Sequence, residues 1–222
     1  MNQSKPRFEP IDRHFDPLAR ISLDKGIDSK AFSSALFNLE FYLSGLVTQW
    51  NRIVEDECEE AERMMKEFPR FAKGTPPDIE TFRSSFKESE QLIRRLYLDV
   101  HLYLICWDKI HKFFKLVSES SNNHCVKQAW AKIENLTGRA KRARGFLEHL
   151  DIQAQRGGGG LERIEPSQEG DLKLTYVGVG KKGERFETGI NLGRAEIAEA
   201  IDAFDEVLSC LKALTSRSGT PN

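Results

Sequence analysis

The chain has 222 residues, and a domain of this size buries roughly 70% of the surface that its unfolded chain exposes. Charged residues make up 30% of it and hydrophobic residues 39%, which excludes a disordered chain and is typical of long helices with solvated, ion-paired faces. The net charge of -1 excludes a globally basic nucleic-acid-binding protein, so any such function must depend on a local basic patch.

The N-terminal residues 1–27 predict an extended arm that packs on the body of the protein. Scattered apolar residues are interrupted there by Pro6, Pro10 and Pro17. The arm lacks the apolar run of a signal peptide, and no window of the chain approaches about 18 uncharged apolar residues. We therefore expect a cytoplasmic protein without a membrane span. Its cysteines should then be reduced, mostly buried thiols: Cys58, Cys106, Cys125 and Cys210.

Helical periodicity next predicts two long helices. Asp28 or Ser29 caps the first, whose apolar residues keep helical spacing as far as Phe68. The chain is then interrupted by Pro69, Gly74, Pro76 and Pro77. A second helix begins near Thr81, and its middle, residues 92–117, is apolar on almost every face. This helix should be the most buried in the protein.

Polar residues within these helices offer alternative interpretations. Asp99, His101 and His111 interrupt the apolar middle of the second helix, and buried polar groups need partners. The two histidines are ten positions apart, a rotation of about 280° around an ideal helix, so they do not share a face, which argues against a metal site with Cys106. We expect satisfied polar residues in the core or at an interface. The acidic run of residues 55–62 favours a solvated helix face with local ion pairs.

The second half of the chain predicts a third helix, a hairpin and a fourth helix. The third helix runs over about 124–150 and is followed by a mobile tetraglycine and a polar stretch to residue 170. Alternating apolar and polar residues on both sides of a glycine turn predict a β-hairpin over about 171–192. A last helix follows over 195–214, and the tail, residues 216–222, should fray.

These elements predict a mainly all-α protein, a four-helix up-down bundle with a β-hairpin inserted between helices 3 and 4. A single domain would span residues 28–215. Residues 178–183 match a dinucleotide-binding pattern literally, but that pattern binds phosphate only when a helix follows it, and a strand is predicted here. We predict no cofactor and no metal.

The segment with the clearest chemical content is a cluster of charged residues near the end of the third helix. It comprises the cations Arg139, Lys141, Arg142 and Arg144, followed by Glu148, His149 and Asp151. Histidine transfers protons near neutral pH, and arginine can hold a phosphate through two hydrogen bonds, so the set suits phosphodiester chemistry without a metal. Charged helix faces are common, however, and composition alone favours a solvated face with a local ion pair.

Helix geometry distinguishes the two arginines nearest to the histidine. On a straight helix, His149 lies about 20° from Arg142 but about 140° from Arg144. Gly145 weakens the helix by about 1 kcal/mol relative to alanine. Arg142 therefore shares a face with the histidine, whereas Arg144 meets it only through a bend or in a second protomer.

The segment Arg144-Gly-Phe-Leu-Glu148-His149-Leu-Asp151, in a helical domain, resembles the Arg/His motif of the HEPN superfamily. The resemblance implies a homodimer whose two motifs meet at the interface and, in active members, cleave RNA without a metal. His149 would be the general acid or base, and Arg144 or Arg142 would hold the scissile phosphate. The substrate would be bordered by Arg139, Lys141, Glu148 and Asp151.

Two functions follow from this interpretation. The first is an endoribonuclease of the toxin or defence type, with RNA as substrate and an antitoxin or another protein as partner. The second is a non-enzymatic helical interaction or dimerisation module in which the Arg/His pair is structural.

Overall fold

The computed structural model describes residues 29–72, 79–148, 160–166, 172–179 and 185–217. Within them the chain forms four helices and three strands. In chain order these are α1 (Ser29–Ala72), α2 (Ile79–Ser120), α3 (His124–Glu148), β1 (Gly160–Pro166), β2 (Leu172–Val179), β3 (Arg185–Asn191) and α4 (Arg194–Arg217). The prediction of a mainly helical chain with four helices and a late hairpin is confirmed.

Several helix ends differ from the prediction. α1 continues through Pro69 to Ala72, so the backbone hydrogen bond that the proline cannot donate is one of the last of the helix. α2 begins at Ile79, slightly before the predicted start, and α4 extends to Arg217, into the predicted tail. Helix ends fray and depend on local contacts, so periodicity places them less well than helix centres. The predicted N-terminal arm lies outside the described residues.

α1 and α2 lie side by side and antiparallel. The ring of Trp50 lies 6.3 Å from that of Tyr103, and Tyr42 stacks on Phe113 with ring centroids 5.8 Å apart. α2 also packs against α3, and α3 packs against α4. α2 therefore lies between two neighbours, and its fully buried side chains include Tyr103, Leu104, Trp107, Ile110 and Phe114.

The three strands form one antiparallel sheet in the order β1-β2-β3. The predicted hairpin is confirmed as β2 and β3, in which Leu174 is paired with Ile190. The polar interpretation of the stretch before it is wrong for residues 160–166, which form β1. Backbone hydrogen bonds pair strands whatever their side chains, so a polar edge strand leaves a weak sequence signal. The Tyr103 hydroxyl donates to the carbonyl oxygen of Leu192 at 2.8 Å and joins this region to α2.

A disulfide contradicts the prediction that the cysteines are free thiols. It joins Cys125, at the start of α3, to Cys210 on α4, 85 positions later, with a Cα–Cα distance of 6.1 Å. Cys106 is free and buried, as predicted, and burial raises the pKa of its thiol to about 11. The Cys58 side chain lies outside the described part of α1. None of the described helices has the length and apolar composition needed to cross a bilayer.

Candidate functional site

The predicted charged cluster lies at the C-terminal end of α3. Arg139, Lys141 and Arg142 are exposed, whereas Arg144 is partly buried. Glu148 is the last residue of α3, and its side chain is not described. The predicted histidine and second acid, His149 and Asp151, lie outside the described residues, so their proposed roles stay predictions.

Arg144 contacts α2. Its guanidinium forms an ion pair with the carboxylate of Asp108, which also accepts a hydrogen bond from Lys112 Nζ at 2.8 Å. The Asp108 side chain is only 2% exposed, and Arg144 is 20% exposed. A buried carboxylate is costly unless it is paired and hydrogen-bonded. Arg144 therefore supplies part of the charge that lets Asp108 lie between α2 and α3.

One turn further along α2, His111 is held by α3. Its Nδ1 lies 2.9 Å from the hydroxyl oxygen of Thr137. That hydroxyl also lies 2.9 Å from the carbonyl oxygen of Ile133, so it bridges the imidazole and the backbone of α3. The ring also meets Trp130 edge to face, with centroids 5.2 Å apart. His111 is thus a satisfied interface residue, as predicted.

The residues on both sides of this contact follow helical spacing. We call them the α2–α3 seam: Asp108, His111, Lys112 and Lys115 on α2, and Thr137, Lys141 and Arg144 on α3. Positions three, four and seven apart share a helix face, so each helix presents its members as one stripe. Sequence reasoning identified the lysine and arginine on α3 but missed Asp108 and Thr137. The spacing of these residues along each helix can be read from the sequence, but the register between α2 and α3 cannot.

The electrostatics of the seam favour a neutral imidazole. Burial lowers the pKa of His111, and the charges of Lys141 and Lys115 lower it further. Asp108 and Glu134 act in the opposite direction without reversing the shift. The imidazolium form is therefore disfavoured at this position.

A second group of buried charges lies between α1 and α2. The Asp99 side chain is fully buried, 3.0 Å from the guanidinium of Arg52. Arg95 on α2 lies 3.2 Å from Asp56 and 3.1 Å from Glu59. Asp99 thus has an ion-pair partner, but neither of its buried carboxylate oxygens accepts a hydrogen bond from the described residues, so the prediction of a satisfied residue holds only in part. The prediction of a solvated acidic face on α1 is wrong for Asp56, which is buried and paired with α2 because α1 turns this position towards its neighbour.

One surface of the α1–α2 pair carries exposed large apolar side chains. We call it the outer face and define it by its exposed residues Phe37, Phe41, Leu98 and Leu116. Phe37 and Phe41 are 58% and 61% exposed, one turn apart on α1. The ring of Phe41 lies 5.3 Å from that of Tyr42, which stacks on Phe113 of α2. Tyr42 therefore lies between Phe41 and the contact with α2.

The same surface continues along α2, where Lys109 and Lys112 also lie within about 40° of the stripe, and it is the α1 part that carries little charge. Leu98 and Leu116 are separated by about five full helical turns, so they project from one side of α2, and Leu116 lies one turn after Phe113. On α1, residues 31–51 contain a single charged residue, Glu40, which is only 9% exposed. In a chain that is 30% charged, about six would be expected in that stretch. Charge depletion combined with exposed aromatic residues is typical of the centre of a protein interface.

No group of three or more histidine, cysteine or acidic side chains that could hold a metal occurs in the part of the chain that the structure describes. Comparison of the chain with models of protein families, with curated proteins and with solved structures found no match.

Proposed function

We propose that the chain is a helical interaction module that forms a homodimer through the outer face of α1 and α2. The observation that carries this proposal is the pair of exposed phenylalanines, Phe37 and Phe41, on an exposed helix face without exposed charge between Lys30 and Arg52. Large apolar patches on soluble proteins mark sites of interaction.

Charge and area both favour a second copy of the chain as the occupant. Two identical charged faces would repel each other, but the α1 part of the outer face, residues 31–51, has no exposed charge and can meet its own copy without that cost. Residues 31–51 span roughly 30 Å of helix, and two adjacent helices are about 20 Å wide. Such a face would bury about 600 Å² on each protomer, close to the lower limit for stable dimers. Isologous dimers are also the commonest soluble assemblies.

The engagement of Arg144 supports the same function. This arginine is the first residue of the predicted Arg/His motif, and its guanidinium is paired with the buried carboxylate of Asp108. A residue that balances a buried charge stabilises the fold. This agrees with the hypothesis of an interaction module in which the arginine of the Arg/His pair is structural.

The test is sedimentation of the purified full chain. Phe41→Asp places a charge at the centre of the proposed interface, where burying it without a partner is costly. We expect the wild type to dimerise at micromolar concentration and the variant to dissociate at least tenfold more readily. The matched control is Ala131→Asp, which adds the same charge at an exposed position on α3 and should leave dimerisation unchanged.

A wild-type chain that stays monomeric at 100 µM would rule out self-association through this face. Equal dimerisation of the wild type and Phe41→Asp would show that copies meet elsewhere. Circular dichroism of each variant establishes that a lost dimer is not a lost fold.

A second candidate is a metal-independent endoribonuclease, as the HEPN resemblance implies. It is favoured by Arg142, which is exposed on α3 beside two further exposed cations, Arg139 and Lys141. Such side chains can contact an RNA phosphate without breaking a buried ion pair. His149 would transfer the proton in this function.

RNA incubated with the protein in EDTA tests the second candidate. We expect cleavage by the wild type and its loss in both His149→Ala and Arg142→Ala, at unchanged thermal stability. Lys127→Ala, which removes an exposed cation near the other end of α3, is the control. Intact RNA with the wild type, or undiminished cleavage by the histidine variant, would exclude this mechanism.

A further inference from the structure

The exposed residues of α1 concentrate on one narrow row along the helix. From Lys30 to Glu55 eight residues are exposed, and six of them fall on a row of positions that are alternately four and three apart. The other two members, Ser44 and Asn51, are half-buried. In chain order this α1 row consists of Lys30, Ser34, Phe37, Phe41, Ser44, Thr48, Asn51 and Glu55. The spacing repeats every seven residues, which is the repeat through which two helices pack as a coiled coil.

The α1 row is long enough to hold a second helix. From residue 30 to residue 55 the helix rises by roughly 38 Å. A seven-residue repeat drifts by about 20° per repeat around a straight helix, so a partner helix follows it with a left-handed twist. Phe37 and Phe41, the large apolar members of the row, lie in its middle part and are 58% and 61% exposed. A partner helix therefore gains most from contact there, where it removes apolar surface from water.

The polar members in the middle of the row are hydrogen-bonded within α1. The Thr48 hydroxyl donates to the carbonyl oxygen of Ser44 at 2.9 Å. Asn38 donates from Nδ2 to the carbonyl oxygen of Ser34 at 2.7 Å and to its hydroxyl oxygen at 3.3 Å. Buried polar groups that keep a hydrogen bond cost far less than groups left unpaired. A second helix can therefore cover these positions without removing the partners of their hydroxyl groups.

The sizes of the central residues are complementary about one point of the helix. Counted from the midpoint between residues 42 and 43, Phe41 and Ser44 lie equally far on opposite sides, and so do Phe37 and Thr48. A two-fold axis through this midpoint relates α1 to an antiparallel copy of itself. In that arrangement each phenylalanine of one copy meets a small hydroxyl residue of the other. Large side chains then fill small sites, as close packing requires.

The charges at the two ends of the row are complementary about the same midpoint. Lys30 and Glu55 are exposed and lie equally far from it, so the axis brings each lysine beside the glutamate of the other copy. A parallel pair would instead place like charges together at both ends, which is unfavourable. Arg52, the remaining exposed charge of this stretch, reaches Asp99 of α2 at 3.0 Å. The charge pattern therefore favours the antiparallel direction.

We propose that α1 pairs with α1 of a second copy as an antiparallel coiled coil, with its two-fold axis between residues 42 and 43. The proposal rests on the homodimer put forward above and adds the partner segment, its direction and its register. Size and charge select the same register. A shift by one seven-residue repeat would set Phe37 against Phe41 and leave Lys30 opposite Thr48, so both kinds of complementarity would be lost.

Charge reversal in the full chain tests the direction of pairing. Lys30→Glu places acidic groups together at both ends of the coiled coil and should raise the dissociation constant about fivefold, measured by sedimentation at low ionic strength. The double variant Lys30→Glu/Glu55→Lys exchanges the two charges and should dimerise as the wild type does. A parallel pair would respond to neither change, because each leaves like charges together. Lys127→Glu, the same reversal at an exposed position of α3, is the matched control and should have no effect.

Cross-linking tests the register. Lys30→Cys and Glu55→Cys are prepared separately, mixed and treated with a short bifunctional maleimide, and the wild type controls for the native cysteines. We expect a covalent dimer from the mixture and none from either variant alone, because each introduced thiol lies roughly 38 Å from its own copy. Circular dichroism of every variant establishes that the helices are retained.

The outcomes distinguish this arrangement from the homodimer itself. A wild-type chain that stays monomeric at 100 µM ends both proposals. A dimer that Phe41→Asp dissociates but Lys30→Glu leaves unchanged would overturn the antiparallel pairing and keep the outer face as the interface. Cross-linking of Lys30→Cys to itself would show a parallel pair and overturn the proposal as well.

Discussion

Arg142 and Arg144 lie two positions apart on α3 and face different surroundings. Arg142 is exposed, whereas Arg144 is paired with the buried carboxylate of Asp108. About 200° of helix separates them, so one reaches α2 when the other faces solvent. The two arginines are chemically identical, but their contributions to the free energy of unfolding therefore differ.

At this scale we expect Arg144→Met to lower the free energy of unfolding by about 2 kcal/mol, because among the described residues Asp108 then keeps only Lys112 as a cationic partner. Arg142→Met, the same change at the exposed position, should alter it by less than about 0.5 kcal/mol. Urea denaturation followed by circular dichroism measures both. Equal losses would contradict a structural role specific to Arg144.

The contact between α1 and α2 combines an aromatic core with buried charge. Burial raises the pKa of Asp56, the neighbouring Asp99 and Glu59 raise it further, and Arg95 opposes them. The folded protein therefore binds a proton at Asp56 more tightly than the unfolded chain does. Ionisation of this carboxyl at neutral pH lowers the free energy of unfolding. This loss of stability disappears as the pH falls through the raised pKa of Asp56.

Asp56→Asn removes this ionisation and should therefore raise the melting temperature at pH 7.5 by about 2–4 °C. An increase of roughly 1 kcal/mol in the free energy of unfolding produces a shift of this size in a chain of this length. The advantage over the wild type should shrink as the pH falls towards 4. Glu55→Gln, on the exposed side of α1, provides the matched loss of a charge. Thermal unfolding at several pH values measures all three proteins, and a variant less stable than the wild type at pH 7.5 would contradict the argument.

On the scale of the whole molecule, the disulfide joins the start of α3 to the second half of α4. The chain between Cys125 and Cys210 includes the remainder of α3 and the entire sheet. Closing a loop of 85 positions removes much conformational entropy from the unfolded chain, worth roughly 4 kcal/mol when the native geometry is unstrained. The link therefore restrains the half of the protein that the α1–α2 pair does not cover.

Reduction should accordingly lower the melting temperature by about 5–15 °C. Cys125→Ser should start from the lower value and show no further response to the reductant. Cys106→Ser, which removes the free buried thiol, should keep the response of the wild type. Differential scanning calorimetry with and without a phosphine reductant tests this, and an unchanged wild-type melting temperature would show that the link carries little stability.

The sequence by itself determined the elements whose signal is local. Apolar residues such as Leu36, Leu39 and Leu43 recur at helical spacing, because each helix must bury one stripe, and this predicts α1 without knowledge of its neighbours. The alternation around Leu174 and Ile190 predicts the hairpin for the corresponding reason. The concentration of cations near the end of α3 was equally visible, since charge is a property of the residues themselves.

Only the tertiary structure decided which of these residues meet. The pairing of Arg144 with Asp108, the anchoring of His111 by Thr137 and the disulfide join positions far apart in the chain, and each depends on the register of two packed helices. The strand β1 depends likewise on a neighbouring strand. Periodicity predicts the face that a helix buries, but contact energies between elements select the partner, so the local signal cannot contain that choice.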